Sequence, residues 1–361
     1  MKISIGSRII DGPWGGGNLF VINFKKYLIE NGHEVIHDLC HRDIDIILLT
    51  DPRSRKESSS TFNHIDIQNY KKYVNPNVTV VQRINECDER KGTNFINQYY
   101  LEASKCADHV IFVSEWLRSI YLNIGMDKNI TSVIMSGADE DVFNSEGLAE
   151  FSKDNIKIVT HHWSAHMNKG FDIYKQLDEL LEEKEFKNVS FTYIGNIPQN
   201  INFKNTIVKE PLSGHQLAKE IKKNHIYLTA SRNEPSGNHH IEAAQCGLPI
   251  LYSNSGGIPE YCNGFGVMFQ NNFKDSLEEI INNFSKHKES LISYPYSSKA
   301  MCSEFYSTFL KLNSTKKIEH IKTNKFLSIL YLRKNLIQKQ FNIFNIKQNF
   351  KNYLKRIIRW I

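Results

Sequence analysis

The sequence of 361 residues lacks several patterns that would identify other classes of protein. Its six cysteines include no Cys-x-x-Cys pair and no metal-ligand spacing, which predicts reduced thiols rather than a zinc site or a disulfide framework. No run approaches the roughly 18 apolar residues of a membrane-spanning helix. The opening MKISIGSRIIDG also lacks the long apolar core of a signal peptide. We therefore expect a cytoplasmic protein.

Acidic residues are nearly absent from the C-terminal part of the chain. Residues 311–361 carry 13 of the 45 Lys and Arg residues but a single acid, Glu319. The first 310 residues hold 32 bases and 38 acids, so the net charge of +6 comes from this basic extension. A mildly acidic body argues against nucleic acid as a partner.

The last 16 residues have the pattern of an amphipathic helix. Between Ile346 and Ile361 the apolar residues repeat at helical spacing, and Lys347, Lys351, Lys355 and Arg359 form a cationic stripe. Such a helix suits an anionic membrane surface, which would place the protein peripherally on the cytoplasmic membrane face. Packing of residues 346–361 on the acidic body is the alternative, and the sequence leaves both open.

Short apolar runs alternate with segments of helical periodicity along most of the chain. This alternation predicts an α/β fold of two Rossmann-like, doubly wound domains that face a central cleft. We expect a first domain over 1–145 and a second over 146–296, because the apolar pattern lapses around 144–155. A helix over 297–312 is expected to cross back to the first domain, followed by the basic extension 313–361.

Individual elements can be assigned within this pattern. IKIVTHH (156–162), VSFTYIG (189–195) and HIYLTAS (225–231) are typical of buried strands. The segment 18–32 is predicted to be a helix with Asn18 as its N-cap. Ligands of such folds bind beyond the carboxyl ends of the strands, where loops lead into helices.

The stretch EPSGNHHIE places two acids, Glu234 and Glu242, eight positions apart around the predicted start of a helix. Gly237 allows a ligand to approach the backbone closely. The N–H groups from Ser236 to His239 would form an anion site suited to a diphosphate. Because six helical residues rise about 9 Å, the two acids can hold opposite ends of a nucleotide sugar. A capping acid followed by a surface acid is the alternative interpretation.

This E-x7-E pattern, followed by AAQCGLPI and SGGIPE, resembles the retaining GT-B glycosyltransferases, in particular family GT4. That family includes sucrose synthases and bacterial mannosyl- and glucosyltransferases. The resemblance implies that Glu234 contacts the transferred hexose and that Glu242 binds the ribose hydroxyls. It implies a hexosyltransferase without a metal or other cofactor, a UDP- or GDP-linked donor, and a glycan, lipid-linked or protein acceptor.

A second resemblance lies in SAHMNKGFDIY, where Lys169 precedes Gly170 at the start of a predicted helix. The family places a lysine here, and an arginine upstream, to hold the diphosphate and offset charge on the departing nucleotide. This sequence has Ser164 and His166 where that arginine is expected. The resemblance therefore assigns the diphosphate to Lys169 but leaves open how the rest of its charge is neutralised.

The loop DGPWGGGNLF between the first strand and the first helix resembles the glycine-rich loop that the family presents to donor phosphate and acceptor. Gly15, Gly16 and Gly17 are the candidate residues, and a flexible connection is the alternative. The loop lacks the G-x-G-x-x-G spacing of a nicotinamide site.

Polar residues are concentrated in QRINECDERKGTN, after the fourth predicted strand. Many family members carry a histidine here that touches the sugar, whereas this sequence offers Asn85, Glu86 and Asp88. One of these is expected to face the acceptor or the donor hexose, with Arg83 or Arg90 paired to them. An exposed polar loop explains the same residues equally well.

Two further loops match positions that the family uses. Pro211 and Leu212 lie where the family lays the nucleotide base against backbone, and Ser253–Glu260 forms a last glycine loop expected near the hexose or the phosphate. Four histidines, at positions 161, 162, 239 and 240, lack the spacing of a metal site.

The predicted site thus has three groups of residues and no metal ligand. Glu234 and Lys169 are predicted to be catalytic. The predicted donor-binding residues are Glu242, Ser236, Gly237, Asn238, His239, Ser164, Gly170, Pro211 and Leu212. The predicted acceptor or phosphate loop residues are Gly15, Gly16, Gly17, Asn85 and Asp88.

Two other functions remain compatible with the sequence. A nucleotide-sugar 2-epimerase shares the two-domain fold and would release a sugar without an acceptor. A non-catalytic sugar-nucleotide-binding scaffold of a glycan-assembly complex would be consistent with the missing arginine.

Overall fold

The computed structural model describes residues 1–10, 15–53, 58–315 and 323–340. The predicted amphipathic helix over 346–361 lies outside the described residues, as do the first four residues of the DGPWGGGNLF loop.

Each half of the chain is built on a parallel β-sheet. The strands of the first domain are β1 (Lys2–Ile5), β2 (Glu34–Ile36), β3 (Ile46–Leu49), β4 (Thr79–Ile84), β5 (His109–Phe112) and β6 (Thr131–Val133). Those of the second are β7 (Ile156–His162), β8 (Val189–Gly195), β9 (Ile207–Lys209), β10 (Ile226–Thr229), β11 (Ile250–Ser253) and β12 (Gly266–Phe269). The strand orders are β2-β1-β3-β4-β5-β6 and β12-β11-β10-β7-β8-β9. The predicted doubly wound architecture is confirmed.

Helices connect the strands and cover the sheets. In the first domain they are α1 (Gly16–Glu30), α2 (His64–Tyr73), α3 (Asp88–Lys91), α4 (Ile96–Ser104) and α5 (Glu115–Asn123). In the second they are α6 (Phe171–Leu180), α7 (Gly214–Ile221), α8 (Asn238–Gln245), α9 (Ile258–Cys262), α10 (Phe273–Asn282) and α11 (Phe284–Ser290). Two further helices follow, α12 (Ser298–Thr315) and α13 (Lys325–Gln340).

The central strands are apolar runs because both faces of each sheet are covered. Every residue of β3 is buried, as is every residue of β10. All strands are parallel, and the order in which successive strands are added reverses between β1 and β3 in the first sheet and between β7 and β10 in the second. Loops diverge at such a switch point and leave a crevice, so both domains offer a binding crevice beyond these strand ends.

Helix α12 returns to the first domain and packs on α1. Its Phe305 ring lies 5.0 Å from that of Phe20, and Phe309 lies 5.4 Å from Phe24, measured between ring centroids. Helix α13 lies on the same domain, where Tyr331 donates a hydrogen bond to the carbonyl of Asp66. None of the helices in the described ranges has the length and apolar character needed to cross a bilayer.

The prediction that Asn18 caps α1 is wrong. The N-cap is Gly15, with a φ of +77° that favours glycine, and Asn18 lies inside the first turn. The Asn18 side chain instead binds Ile10, accepting from its N–H at 3.0 Å and donating to its carbonyl at 2.8 Å. These two hydrogen bonds hold Ile10, in the β1–α1 loop, against the first turn of the helix.

Candidate active site

A cavity of about 690 Å³ lies between the two domains. The first domain lines it with the loops after β1, β3 and β4, and the second with the loops after β7 and β10 and the start of α8. These are the strand ends that flank both switch points. The volume is in the usual range for a small-molecule site, about 300–1,000 Å³.

Glu234 lies on the β10–α8 loop and is buried, with 7% of its surface exposed. One carboxylate oxygen is 2.5 Å from Lys169 Nζ, and the other is 2.9 Å from Arg90 Nε. Burial alone would raise the pKa of Glu234, but the charges of Lys169 and Arg90 outweigh it and hold that pKa far below its usual range. Glu234 is therefore a permanent carboxylate between two cations.

Arg90 belongs to the first domain, and its guanidinium contacts Glu234 of the second domain. It follows β4 on the short helix α3, and its guanidinium also binds Glu86 at 2.7 Å. Its backbone carbonyl accepts a hydrogen bond from Asn168 of the second domain at 3.1 Å. The predicted pairing of Arg90 with Glu86 is confirmed, but its contact with Glu234 was not foreseen. No local pattern indicates that contact, because 144 positions separate the two residues.

Lys169 ends a 3-10 turn (Met167–Lys169) between β7 and α6 and lines the cavity. Gly170, which follows, does not line the cavity. Its φ is +84°, and a Cβ at this position would lie 2.2 Å from the carbonyl oxygen of Ala230. Gly170 is thus needed where two loops pack together, and its donor-binding role stays a prediction.

Helix α8 points its N-terminus into the cavity. Gly237 is the N-cap with a φ of +79°, and no side chain of the described residues caps the helix. The first-turn N–H groups therefore lack side-chain partners, as an anion site requires. The first domain closes over this helix end, since a Cβ on Gly16 would lie 2.6 Å from the Asn238 side-chain oxygen.

Glu242, one turn into α8, is buried and lines the same cavity. Its carboxylate is 2.9 Å from His161 Nε2, and the opposite ring nitrogen of His161 is 3.1 Å from the Tyr227 hydroxyl. Among the described residues Glu242 has no further side-chain partner, so one carboxylate oxygen is free for a ligand. His161 acts as a positioning residue that sequence reasoning did not find.

The neighbouring histidines form a neutral, buried group. Burial lowers the pKa of His162 and of His239 well below the usual value, and it lowers that of His240 to about 3. His162 hydrogen-bonds to Tyr174 at 2.6 Å, and His239 to Thr229 at 2.8 Å. Within the described ranges no group of three or more His, Cys, Asp or Glu side chains is arranged to hold a metal ion.

Two other predicted positions are placed outside the cavity. The carboxylate of Asp88 accepts hydrogen bonds from the backbone N–H groups of Phe95, Ile96 and Asn97 and does not line the cavity, unlike Asn85, with which it was grouped. The Ser253–Glu260 loop lies behind the site, where it supports the Glu234 backbone: the N–H of Gly257, at the start of α9, donates to the Glu234 carbonyl at 2.9 Å.

The other predicted residues line the cavity. Those of the second domain are Ser164, Pro211, Leu212, Ser236, Gly237, Asn238 and His239, and those of the first are Gly15, Gly16, Gly17 and Asn85. Arg83 lines it as well; of the two arginines expected to pair with this loop, Arg90 does so and Arg83 does not.

Two Rossmann-like domains that close on a helix N-terminus flanked by two buried carboxylates define a protein of the GT-B class. Comparison with solved structures agrees. A glycosyltransferase from Rickettsia africae covers 87% of the chain with a TM-score of 0.64 and 16% identity, over 99% of its own length. A sucrose-phosphate synthase from Thermosynechococcus elongatus covers 87% with a TM-score of 0.65 and 13% identity, over its full length. At these identities the likeness establishes the fold alone.

The second domain also matches a family model. Residues 144–294, less than half of the chain, match the family described as "Glycosyl transferases group 1", so this part of the chain is similar to a group 1 glycosyltransferase domain. The gpi3 subunit of phosphatidylinositol N-acetylglucosaminyltransferase from Schizosaccharomyces pombe is 26% identical over 196 residues, which are 50% of this chain. The match spans only about two fifths, 42%, of that relative's length.

Proposed function

We propose that the protein is a retaining glycosyltransferase that moves a hexose-type sugar from a UDP- or GDP-linked donor to an acceptor hydroxyl. The observation that carries this proposal is the pair of buried acids on either side of the α8 N-terminus in one cavity. Glu242 offers a free carboxylate oxygen, the α8 amides lack side-chain partners, and Glu234 follows at the other end. A ribose needs an acceptor for its hydroxyls, a diphosphate needs N–H donors, and a hexose again needs an acceptor. The protein offers these groups in the same order.

In this arrangement the donor lies along the second domain. The ribose hydroxyls donate to Glu242, and the diphosphate rests on the first-turn amides of α8 and on Lys169. The base lies near Pro211 and Leu212, and the hexose hydroxyls meet Glu234. A solved structure of Anabaena HepE in complex with UDP and glucose, at a TM-score of 0.61 and 13% identity, supports a UDP-sugar as the first donor to test.

The transfer step exchanges one bond to the anomeric carbon for another. The bond from this carbon to the diphosphate oxygen breaks with its electron pair on the phosphate, and the acceptor oxygen bonds to the same face of the sugar. The acceptor proton moves to the departing phosphate oxygen, so no enzymic base is required. Lys169 and Arg90 supply cations close to the growing negative charge, and the proposal therefore includes no metal.

The donor proposal is tested by thermal shift with a panel of nucleotide sugars that includes UDP-N-acetylglucosamine, because a ligand of the native state raises its melting temperature. We expect UDP- or GDP-linked sugars to raise it, and Glu242→Gln to weaken the shift. Product analysis then follows with glycan, lipid-linked and protein acceptors. Release of an epimerised free sugar would favour the epimerase, and binding without turnover with any acceptor would favour the scaffold.

We also propose that the protein works at an anionic membrane surface. Helix α13 turns a mostly apolar face to solvent: Phe326, Leu330 and Ile337 are 68, 47 and 55% exposed, with Arg333 between them on the same stripe. The opposite face packs on the first domain through Tyr331 and Asn335. Charge favours anionic lipid as the occupant, because the sequence has no Asp or Glu after position 319.

Liposome flotation tests the membrane proposal. Full-length protein is expected to float with vesicles that contain phosphatidylserine and to stay behind with pure phosphatidylcholine. The double substitution Phe326→Ser, Leu330→Ser is expected to reduce recovery several-fold. A matched exposed pair on two other helices, Ile29→Ser on α1 with Ile65→Ser on α2, is expected to leave it unchanged. Equal recovery of all three proteins would remove α13 from the proposal.

A further inference from the structure

Arg83 is a buried cation that has no counter-ion among the described residues. It lies at the end of β4, lines the cavity on the side of the first domain and is 4% exposed. Among the described residues its recorded contact is with the Phe20 ring, 4.3 Å from the guanidinium carbon to the ring centroid. Its Nε is buried without a hydrogen-bond partner. Burial lowers the pKa of Arg83 to about 10, which leaves it charged at neutral pH.

The acids in this half of the cavity do not balance that charge. Asp51 is held by Arg53 through both carboxylate oxygens. Glu86 is shared by Arg90 at 2.7 Å and by Lys91 at 3.3 Å. Asp139 lines this half of the cavity as well, but its recorded hydrogen bond is to a backbone N–H rather than to Arg83. Among the described residues the charge of Arg83 is therefore unpaired. An unpaired buried charge is costly, and a protein retains one where a ligand completes the pair.

The start of helix α1 adds anion-binding groups next to Arg83. This helix has 15 residues, no side chain of the described residues caps it, and Gly15 to Gly17 line the cavity at its first turn. Phe20, on which the Arg83 guanidinium lies, belongs to the second turn. A helix N-terminus and an arginine fork thus face the same space, one with N–H donors of positive partial charge and the other with a full charge.

We propose that Arg83 and the α1 N-terminus bind a phosphate group carried by the acceptor. The name acceptor rests on the proposed glycosyltransferase function, whereas the anion site rests on the geometry alone. A phosphate suits it because tetrahedral oxygens can accept from the arginine fork and from helix amides together, whereas a planar carboxylate has only two oxygens to share. A sugar phosphate and a lipid phosphate offer the same chemistry.

Calorimetric titration of the full chain tests the site, with UDP saturating so that the donor phosphate positions are filled. The probes are glucose 1-phosphate and dihexanoyl phosphatidic acid below its micellar concentration, which separate a soluble from a lipid source. We expect at least one probe to bind wild-type protein and Arg83→Met to weaken that binding at least 10-fold. Arg118→Met, which removes an arginine distant from the cavity, is expected to leave it unchanged.

Stability separates a binding role from a structural one. Without phosphate, Arg83→Met is expected to melt at or above the wild-type temperature, because it removes an unpaired buried charge. If this variant does not fold, Arg83→Lys is tested in its place, because lysine keeps the positive charge and lacks the planar guanidinium. We expect Arg83→Lys to bind the probe at least 3-fold more weakly than wild type. Unchanged probe binding in the variants would overturn the proposal, as would probe binding that UDP abolishes in wild type.

Failure of the proposed donor site can be distinguished from failure of the proposed phosphate site. If UDP does not bind, the proposed donor site fails, and the phosphate titration is then repeated without UDP in the Lys169→Met background. Probe binding that still depends on Arg83 there would support the phosphate site by itself. Binding that does not depend on Arg83 in that background would refute it.

Discussion

Replacing Glu234 by glutamine is expected to lower the rate of sugar transfer by about 100-fold or more while UDP still binds within a few-fold of wild type. The substitution keeps the size of the side chain and removes its charge. In the structure this charge is fixed between Lys169 and Arg90 at 2.5 and 2.9 Å, so it is already oriented before any ligand arrives. Loss of an oriented charge next to the reacting carbon acts on kcat rather than on nucleotide affinity.

Glu242→Gln is the matched control, because it makes the same chemical change at the other end of the α8 N-terminus. Glu242 faces the proposed ribose, so we expect its loss to raise the KM for the nucleotide sugar about 10-fold with little change in kcat. The two substitutions should therefore give opposite patterns in steady-state kinetics.

The Glu234 variant has a structural consequence that must be measured in parallel. Without the carboxylate, Lys169 and Arg90 are two half-buried cations on either side of the domain interface, and Arg90 keeps Glu86 as its carboxylate partner. A melting temperature close to wild type, together with intact UDP binding, would show that the lost rate is not lost folding. Wild-type kcat in a folded Glu234→Gln protein would contradict the role assigned to Glu234.

Much of the fold follows from local sequence patterns. The strands predicted at 156–162 and 189–195 are observed with the same limits, because central parallel strands are continuous apolar runs bounded by polar loops. The short edge strands β9 and β12 were not predicted. They are three and four residues long and partly exposed, so their apolar runs are too short for a sequence pattern to distinguish them from loops.

The residues of the candidate site also differ in how far the local sequence predicts them. Glu234, Glu242 and Lys169 were predicted because each lies where a strand leads into a helix, which is a local feature. The pairing of Arg90 with Glu234 depends on how two domains close, and no periodicity encodes that. Asp88 lies outside the cavity for a local reason: a carboxylate beside a helix start has N–H groups to bind, and in the structure these N–H groups and the Thr93 hydroxyl occupy it.

Replacing Lys169 by methionine is expected to lower the rate of transfer by about 100-fold, equivalent to about 2.7 kcal/mol of transition-state stabilisation. Methionine has a side chain of similar length and lacks the ammonium group. The effect should be large because Lys169 lines the same cavity as the α8 N-terminus, where we propose that the diphosphate binds. Pre-steady-state mixing of enzyme and donor with the chosen acceptor measures the chemical step directly.

Arg90→Met decides how the remaining phosphate charge is neutralised in a chain that has Ser164 where the family has arginine. If Arg90 serves the departing phosphate, its loss lowers kcat about 10-fold and Arg90→Lys restores part of it, since lysine returns the charge without the fork. The Lys169, Arg90 double variant should then lose less than the product of the single effects, because both cations act on one group and both hold Glu234. Full activity of Arg90→Met would instead indicate that Arg90 only links the two domains through its ion pair with Glu234. In that case Lys169 and the α8 amides would carry the phosphate charge alone.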